Sequence, residues 1–391
     1  MKITKLRKKQ IALILTGLLA FIMLSFCAST SGDTAPQQPA FTAAPVQLRA
    51  ISGTVASVDR FGNFNFNVNA TGFQAAGFQF GDLVRLEAGT FDGVVPVVAN
   101  YSEVDHGEAL VRMHRDANLI IIAINMGNIS ELYSIEEGSF VRISLVERGG
   151  YLAELELRNL QRSYVREDYS TDAVFANFRN ARLGAMGPNV LYRSTHPALD
   201  DNAADAAMAS RSPYAARLNE AAGIVTVINL ADRPDELPLR GANSSWYQGF
   251  INRGNIVALG MGIDYRNPAF AGQLKTGIEF MLQHEAPFLI HCNEGKDRAG
   301  VVVALFGALM GAPPQQIIDD YMWSYINFYN VVRRSEQYML IASIMEGILT
   351  DFNGGVMPRA GETTAAAERY LREVVGLTNA QIEALKVKLR G

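Results

Sequence analysis

Only two cysteines, Cys27 and Cys292, and five histidines occur in the 391 residues. None of them has the spacing of a tetrahedral zinc site, so no metal is expected. Two cysteines are too few for a disulfide-stapled scaffold. Charge of one sign is also missing: 35 Lys and Arg face 39 Asp and Glu, for a net charge of −4. A nucleic-acid binder shows a basic face, and nothing here supplies one. There is no internal repeat and no Gly-rich nucleotide fingerprint. The chain is nevertheless long enough for two or three domains with sizeable cores.

What is present begins with a leader. Lys2, Lys5, Arg7, Lys8 and Lys9 precede the first acid, and subtracting these five from −4 leaves a body of −9. An apolar run follows from Ile11 to Phe26, short for a membrane span. Leu24-Ser25-Phe26-Cys27 resembles the lipobox of bacterial lipoproteins, in which the cysteine becomes the acylated first residue. Phe26 departs from that pattern, and cleavage after Ala28 or Ser31, or a retained anchor, are the alternatives. The resemblance implies an exported, extracytoplasmic protein, membrane-anchored through Cys27 or otherwise secreted or periplasmic. If Cys27 is lipidated or removed, Cys292 is a lone thiol in an oxidising compartment, where a dispensable one is easily lost.

Residues 1–27 thus read as leader, and the Ser, Thr, Ala, Pro and Gln-rich residues 28–47 as a flexible tether. From 48 to 162 the pattern is short alternating strands between Gly and Asn/Asp turns, namely Ile51–Val58, Phe64–Val68, Leu119–Ile124 and Phe140–Val146. That pattern predicts a small antiparallel barrel or sandwich. From 166 to 391 buried strands (Gly223–Leu230, Asn255–Gly260, Pro287–Ile290) alternate with helical patterns (Phe270–His284, Val301–Met310), predicting an α/β domain with a mostly parallel central sheet flanked by helices.

Between the last strand and its helix lies His291-Cys292-Asn293-Glu294-Gly295-Lys296-Asp297-Arg298-Ala299-Gly300. A loop that ends at a helix N-terminus presents free N–H groups and a positive dipole end to an anion. Cys292 at its start would be held as a thiolate, the nucleophilic form. Arg298 at its end would grip two phosphate oxygens with its planar fork.

This HC-x-x-GKDR-x-G pattern resembles the signature of the cysteine-dependent protein tyrosine phosphatase superfamily, in its bacterial tyrosine/lipid phosphatase branch. Ala176-Asn177-Phe178-Arg179, Leu191-Tyr192-Arg193-Ser194, Asn229-Leu230 with Asp232-Arg233, and Asp320-Tyr321 with Ser324 follow the family's order. The resemblance implies a phosphomonoesterase without cofactor, acting through a Cys292 thiophosphate on a phosphorylated protein or a phosphoinositide. Asn293, Glu294, Gly295, Lys296, Ala299 and Gly300 would complete the phosphate loop, and His291 would orient it. Asp264, 28 residues before Cys292, is the expected general acid and Asp297 its rival; a helix N-cap or a solvated turn residue is the plain reading of Asp264. Lys296 reads either as a second charge on the phosphate or as a solvated rim residue. Asp232 and Asp235 read as loop caps or substrate contacts. Ala299 replaces the family's Ser or Thr, whose hydroxyl eases hydrolysis of the phosphoenzyme, so a catalytically weak phosphate-binding module is the alternative.

A second resemblance lies upstream. Val58-Asp59-Arg60-Phe61-Gly62-Asn63, Tyr101–Glu108 and Ile122–Asn128 are similar to the C-terminal β-domain of S-adenosylmethionine hydroxide adenosyltransferases and related halogenases. It implies either a structural or partner-binding module, its partner unidentified, or an adenosyl-ligand-binding one.

Overall fold

The structure, a computed structural model, describes residues 49–200 and 206–391; the leader, the tether and Cys27 lie outside them. The chain divides into two compact units between Leu155 and Glu156.

The first unit holds seven strands: β1 (Ala50–Val58), β2 (Phe64–Phe66), β3 (Leu83–Ala88), β4 (Phe91–Val98), β5 (Ala109–His114), β6 (Leu119–Ile124) and β7 (Phe140–Glu147). They close into a barrel in the order β1-β2-β6-β5-β4-β3-β7, with β7 paired to β1. Side chains alternate across each strand, so Val84, Leu86 and Ala88 of β3 and Ile120, Ile122 and Ile124 of β6 are buried in the barrel core. The four strands read from alternation are all present, the second ending at Phe66. The barrel is not wholly antiparallel, because β4 and β5 run parallel with Val97 opposite Val111. Residues 99–108 carry the chain back along β4, which is what a parallel pair requires.

The second unit is built on a five-stranded sheet of β8 (Arg179–Asn180), β9 (Leu191–Ser194), β10 (Thr226–Asn229), β11 (Ile256–Ala258) and β12 (Phe288–His291). Its order is β11-β10-β12-β9-β8, parallel except for β8. Helices of eight or more residues beyond Leu160 are α1 (Ser212–Ala221), α2 (Ser245–Arg253), α3 (Pro268–Gln283), α4 (Asp297–Leu309), α5 (Pro314–Tyr329), α6 (Glu336–Phe352), α7 (Thr363–Glu373) and α8 (Asn379–Arg390). In α4 every residue from Ala299 to Leu309 is buried, so this helix is apolar all round and forms the centre of the core. It begins at Asp297, earlier than the apolar run predicts, because Gly300 N already donates to Lys296 O at 2.9 Å. The strands β9, β10 and β12 end side by side, with Ser194 and Asn229 flanking His291. In open α/β sheets, binding sites form at such carboxyl ends. No helix among the described residues is long and apolar enough to cross a membrane.

Candidate active site

Cys292 follows β12 directly and is 2% exposed. The loop from Asn293 to Lys296 is then pinned from one side by its own carbonyls. Asn293 O accepts from His196 N at 3.0 Å. Glu294 O accepts from Asn177 Nδ2 at 3.1 Å. Gly295 O accepts from Asn177 Nδ2 at 3.3 Å and from Arg193 Nε and Nη2 at 3.1 and 2.7 Å. Lys296 O accepts from Arg193 Nη2 at 3.0 Å.

A trans peptide is planar, so its N–H points away from its C=O. Four pinned carbonyls therefore turn the N–H groups of Glu294, Gly295, Lys296 and Asp297 to the opposite side. Among the described residues, those of Glu294, Gly295 and Lys296 donate to no protein acceptor. Such a row at a helix start is an anion cradle. Gly295 is obligatory here: its φ is +63°, and a Cβ would lie 2.1 Å from Ser194 O.

The props of this loop form one buried network. Arg193 is fully buried, and burial drags its pKa down to about 10, still charged at neutral pH. It pairs with Asp320 Oδ2 at 2.7 Å, and Arg179 Nε meets Asp320 Oδ1 at 3.0 Å. Asn177 and Arg179 also both donate to Ser324 Oγ, at 3.1 and 3.2 Å. The NFR, YRS and Asp320–Ser324 words of the sequence are thus one scaffold under the loop. Gly300 belongs to it, because a Cβ there would sit 2.9 Å from the Tyr321 ring.

A second buried network lies on the β10 side. His291 Nε2 meets Tyr247 OH at 3.0 Å, and Asn229 Nδ2 donates to the same hydroxyl at 2.8 Å. Asp232 accepts from Asn229 at 2.8 Å, from His196 Nε2 at 2.7 Å and from Arg240 at 3.2 Å. His196 Nδ1 accepts from Ala198 N at 3.0 Å, which puts its proton on Nε2, toward Asp232. Burial opposes the Asp232 charge, but His196, Arg240 and Asn229 outweigh it and hold the carboxyl well below its usual range. Asp232 is thus a buried acid, at 3% exposure, whose carboxylate is held by three side chains. Asp235 is exposed and pairs with Arg233.

Burial lowers both His196 and His291 below the ordinary imidazole value, His291 the more strongly. Protons then bind the unfolded chain in preference. Stability is expected to fall as pH drops below about 6.5, where free histidine begins to charge. Urea unfolding at pH 7.5 and 5.5 measures this, and equal stabilities would refute it.

The remaining predicted residues divide. Arg298 Nη1 donates to Met261 O at 3.2 Å, tying the end of the loop to the segment that leads to Asp264. Asp264 itself is exposed, and its carboxylate accepts from Arg266 N at 3.1 Å, the hydrogen bond of a turn residue. The side chain capping α3 is that of Asn267, which accepts from Ala269 N. Asp297, first in α4, is half-buried, and burial pushes its carboxyl up. Ala299 is fully buried.

Lys296 is neither solvated nor a free cation: its ammonium lies 3.1 Å from Glu294 Oε2, 3.7 Å from Asp297 Oδ2 and 3.2 Å from Tyr329 OH. The apolar surroundings of Tyr325 and Tyr329 enclose it, and the two acids keep it charged. Arg162, Tyr247, His196 and Arg240 have no signal in the local sequence pattern. They reach the loop only through the fold.

Family models match the two units separately. Residues 261–391 match the tyrosine phosphatase family, and residues 53–142 the SAM hydroxide adenosyltransferase C-terminal domain. No curated protein matches the chain. Among solved structures, an uncharacterized conserved protein from Thermotoga maritima is 35% identical over 24% of this chain and 35% of that one, with a TM-score of 0.22. A conserved hypothetical protein from Thermus thermophilus is 29% identical over 28% and 42%, with a TM-score of 0.19. The chain thus spans well under half the length of these two proteins. The core catalytic domain of the PP-IP phosphatase SIW14 from S. cerevisiae is 20% identical over 45% and 93%, with a TM-score of 0.25. Cys292, the pinned loop and Arg298 thus all lie within the stretch, residues 261–391, that matches the tyrosine phosphatase family.

Proposed function

We propose that the second unit hydrolyses phosphomonoesters through Cys292. The observation that carries this reading is the pinned loop: a row of outward-turned N–H groups, opened by a cysteine and closed by an arginine. The Cys292 sulfur attacks phosphorus, the ester P–O bond breaks, and the leaving oxygen takes a proton from a carboxylic acid. The cradle N–H groups and the Arg298 fork stabilise charge on the three other oxygens. The acid, now a carboxylate, takes a proton from water as it attacks the thiophosphate. The S–P bond then breaks, releasing inorganic phosphate and restoring the thiolate.

Asp297 is the stronger candidate for that acid. It is half-buried at the end of the loop and burial raises its carboxyl, whereas Asp264 is solvated and engaged in its own turn. Asp297→Ala is expected to slow alkyl phosphates far more than aryl phosphates with acidic leaving groups. Comparing kcat/KM for the two substrate types decides. The same selective loss in Asp264→Ala, with Asp297→Ala indifferent to the leaving group, would transfer the role.

The substrate we infer is a phosphorylated protein or a phosphoinositide, met outside the cytoplasm by a protein tethered through Cys27. Release of phosphate from a panel of phosphopeptides and phosphoinositides tests the substrate, and metabolic labelling with a fatty acid tests the anchor. Binding of phosphopeptide without release of phosphate would reduce the unit to a binding module.

A further inference from the structure

Glu294 poses a problem for the phosphatase reading, on which this inference rests. It is a carboxylate carried by a residue whose own N–H belongs to the anion cradle. A free negative charge there would repel a phosphate dianion.

The structure shows how it is neutralised. Arg162 lies in the second unit, far upstream of the family match. Its guanidinium forms an ion pair with Glu294: Nη2 donates to Oε1 at 2.8 Å, and Nη1 lies 2.7 Å from Oε2. Tyr164 OH and Tyr329 OH each lie 3.0 Å from the same guanidinium, and the rings of Tyr164, Phe328 and Tyr329 surround it. Lys296 approaches Glu294 Oε2 as well. Burial opposes ionisation of Glu294, but Arg162 and Lys296 overcome it and hold the carboxyl down to about 2. The pair is well covered, at 14% and 23% side-chain exposure, so solvent does little to screen Glu294 if its partner is lost.

Lys296 alone cannot do this work, because it is shared with Asp297. With Arg162 in place two cations serve two acids; without it one cation serves both. We propose that Arg162 is a positioning residue for the phosphate loop, clamping and neutralising Glu294 so that the cradle accepts a dianion.

Arg162→Ala is expected to raise KM for p-nitrophenyl phosphate, and Kd for orthovanadate, by about tenfold while kcat changes less than about threefold. Adding Glu294→Gln to that variant removes the uncompensated charge and should return both constants to within about threefold of wild type. A merely structural Arg162 would not give this split or this rescue. Unaltered KM and Kd in Arg162→Ala, or constants as poor in the double variant, overturn the proposal. Should Arg162→Ala fail to fold by circular dichroism, Glu294→Gln alone gives the reverse test: two cations then face one acid, Asp297, and Kd for inorganic phosphate should fall. An unchanged or higher Kd overturns the idea. A wild type that binds vanadate without turnover ends the hydrolase reading yet still tests this one by Kd. A wild type that binds neither anion ends both.

Discussion

Cys292→Ser lowers turnover of p-nitrophenyl phosphate by more than about a thousandfold, because a serine hydroxyl is scarcely ionised at neutral pH and cannot replace a thiolate. The substitution is nearly isosteric and removes no hydrogen bond of the two loop networks. Cys292 is 2% exposed, so the smaller oxygen leaves little space to collapse. The unfolding midpoint and circular dichroism spectrum should therefore match wild type. Vanadate binding should also survive in reduced form, since the cradle N–H groups come from pinned peptides and not from the sulfur. Residual activity within about tenfold of wild type, with the fold intact, would remove the cysteine mechanism altogether.

Arg193→Leu is the largest expected loss of stability. Arg193 is fully buried, donates to the carbonyls of Gly295 and Lys296, and shares Asp320 with Arg179. A leucine leaves Asp320 with one cation instead of two and leaves buried acceptors short of donors. Breaking a buried ion pair from one side costs about 3–5 kcal/mol. Activity should fall further than stability predicts, because the Gly295–Lys296 peptide is released to rotate and its N–H leaves the cradle. Denaturant unfolding and turnover measured well below the midpoint separate the two effects. A stability loss under about 1 kcal/mol, or full turnover in the folded variant, would mean that the carbonyl clamp does not shape the loop.

Cys292 stands in a local motif, whereas Arg193 acts across the fold, and the same division runs through the whole chain. The α/β alternation, the strand before Cys292 and the apolar helix after Arg298 are local patterns, set by residues within a few positions of one another. β12 and α4 accordingly lie where the pattern places them, within a few residues. The barrel is legible only in part: Gly93 and Pro96 interrupt β4, and the parallel β4–β5 pair depends on where the chain returns.

At the site, Cys292, Gly295 and Arg298 declare themselves because their chemistry depends on loop order and a left-handed backbone. The motif words holding Asn177, Arg193 and Asp320 are visible as words but not as a purpose; only the fold brings them beneath the loop. Lys296 shows the limit most clearly. Its neighbours in sequence include one acid on either side, yet a free loop would leave it solvated, and the residues that enclose it are Tyr325 and Tyr329. Asp297 and Asp264 are equivalent as letters. Burial on one and solvent on the other distinguish them. The sequence by itself determined the Cys292–Arg298 spacing and the strand–loop–helix frame, because these rest on short-range geometry. Tertiary structure alone decided which charges are neutralised, which carbonyls are pinned and which acid is buried, because those depend on desolvation and on partners more than a hundred residues away.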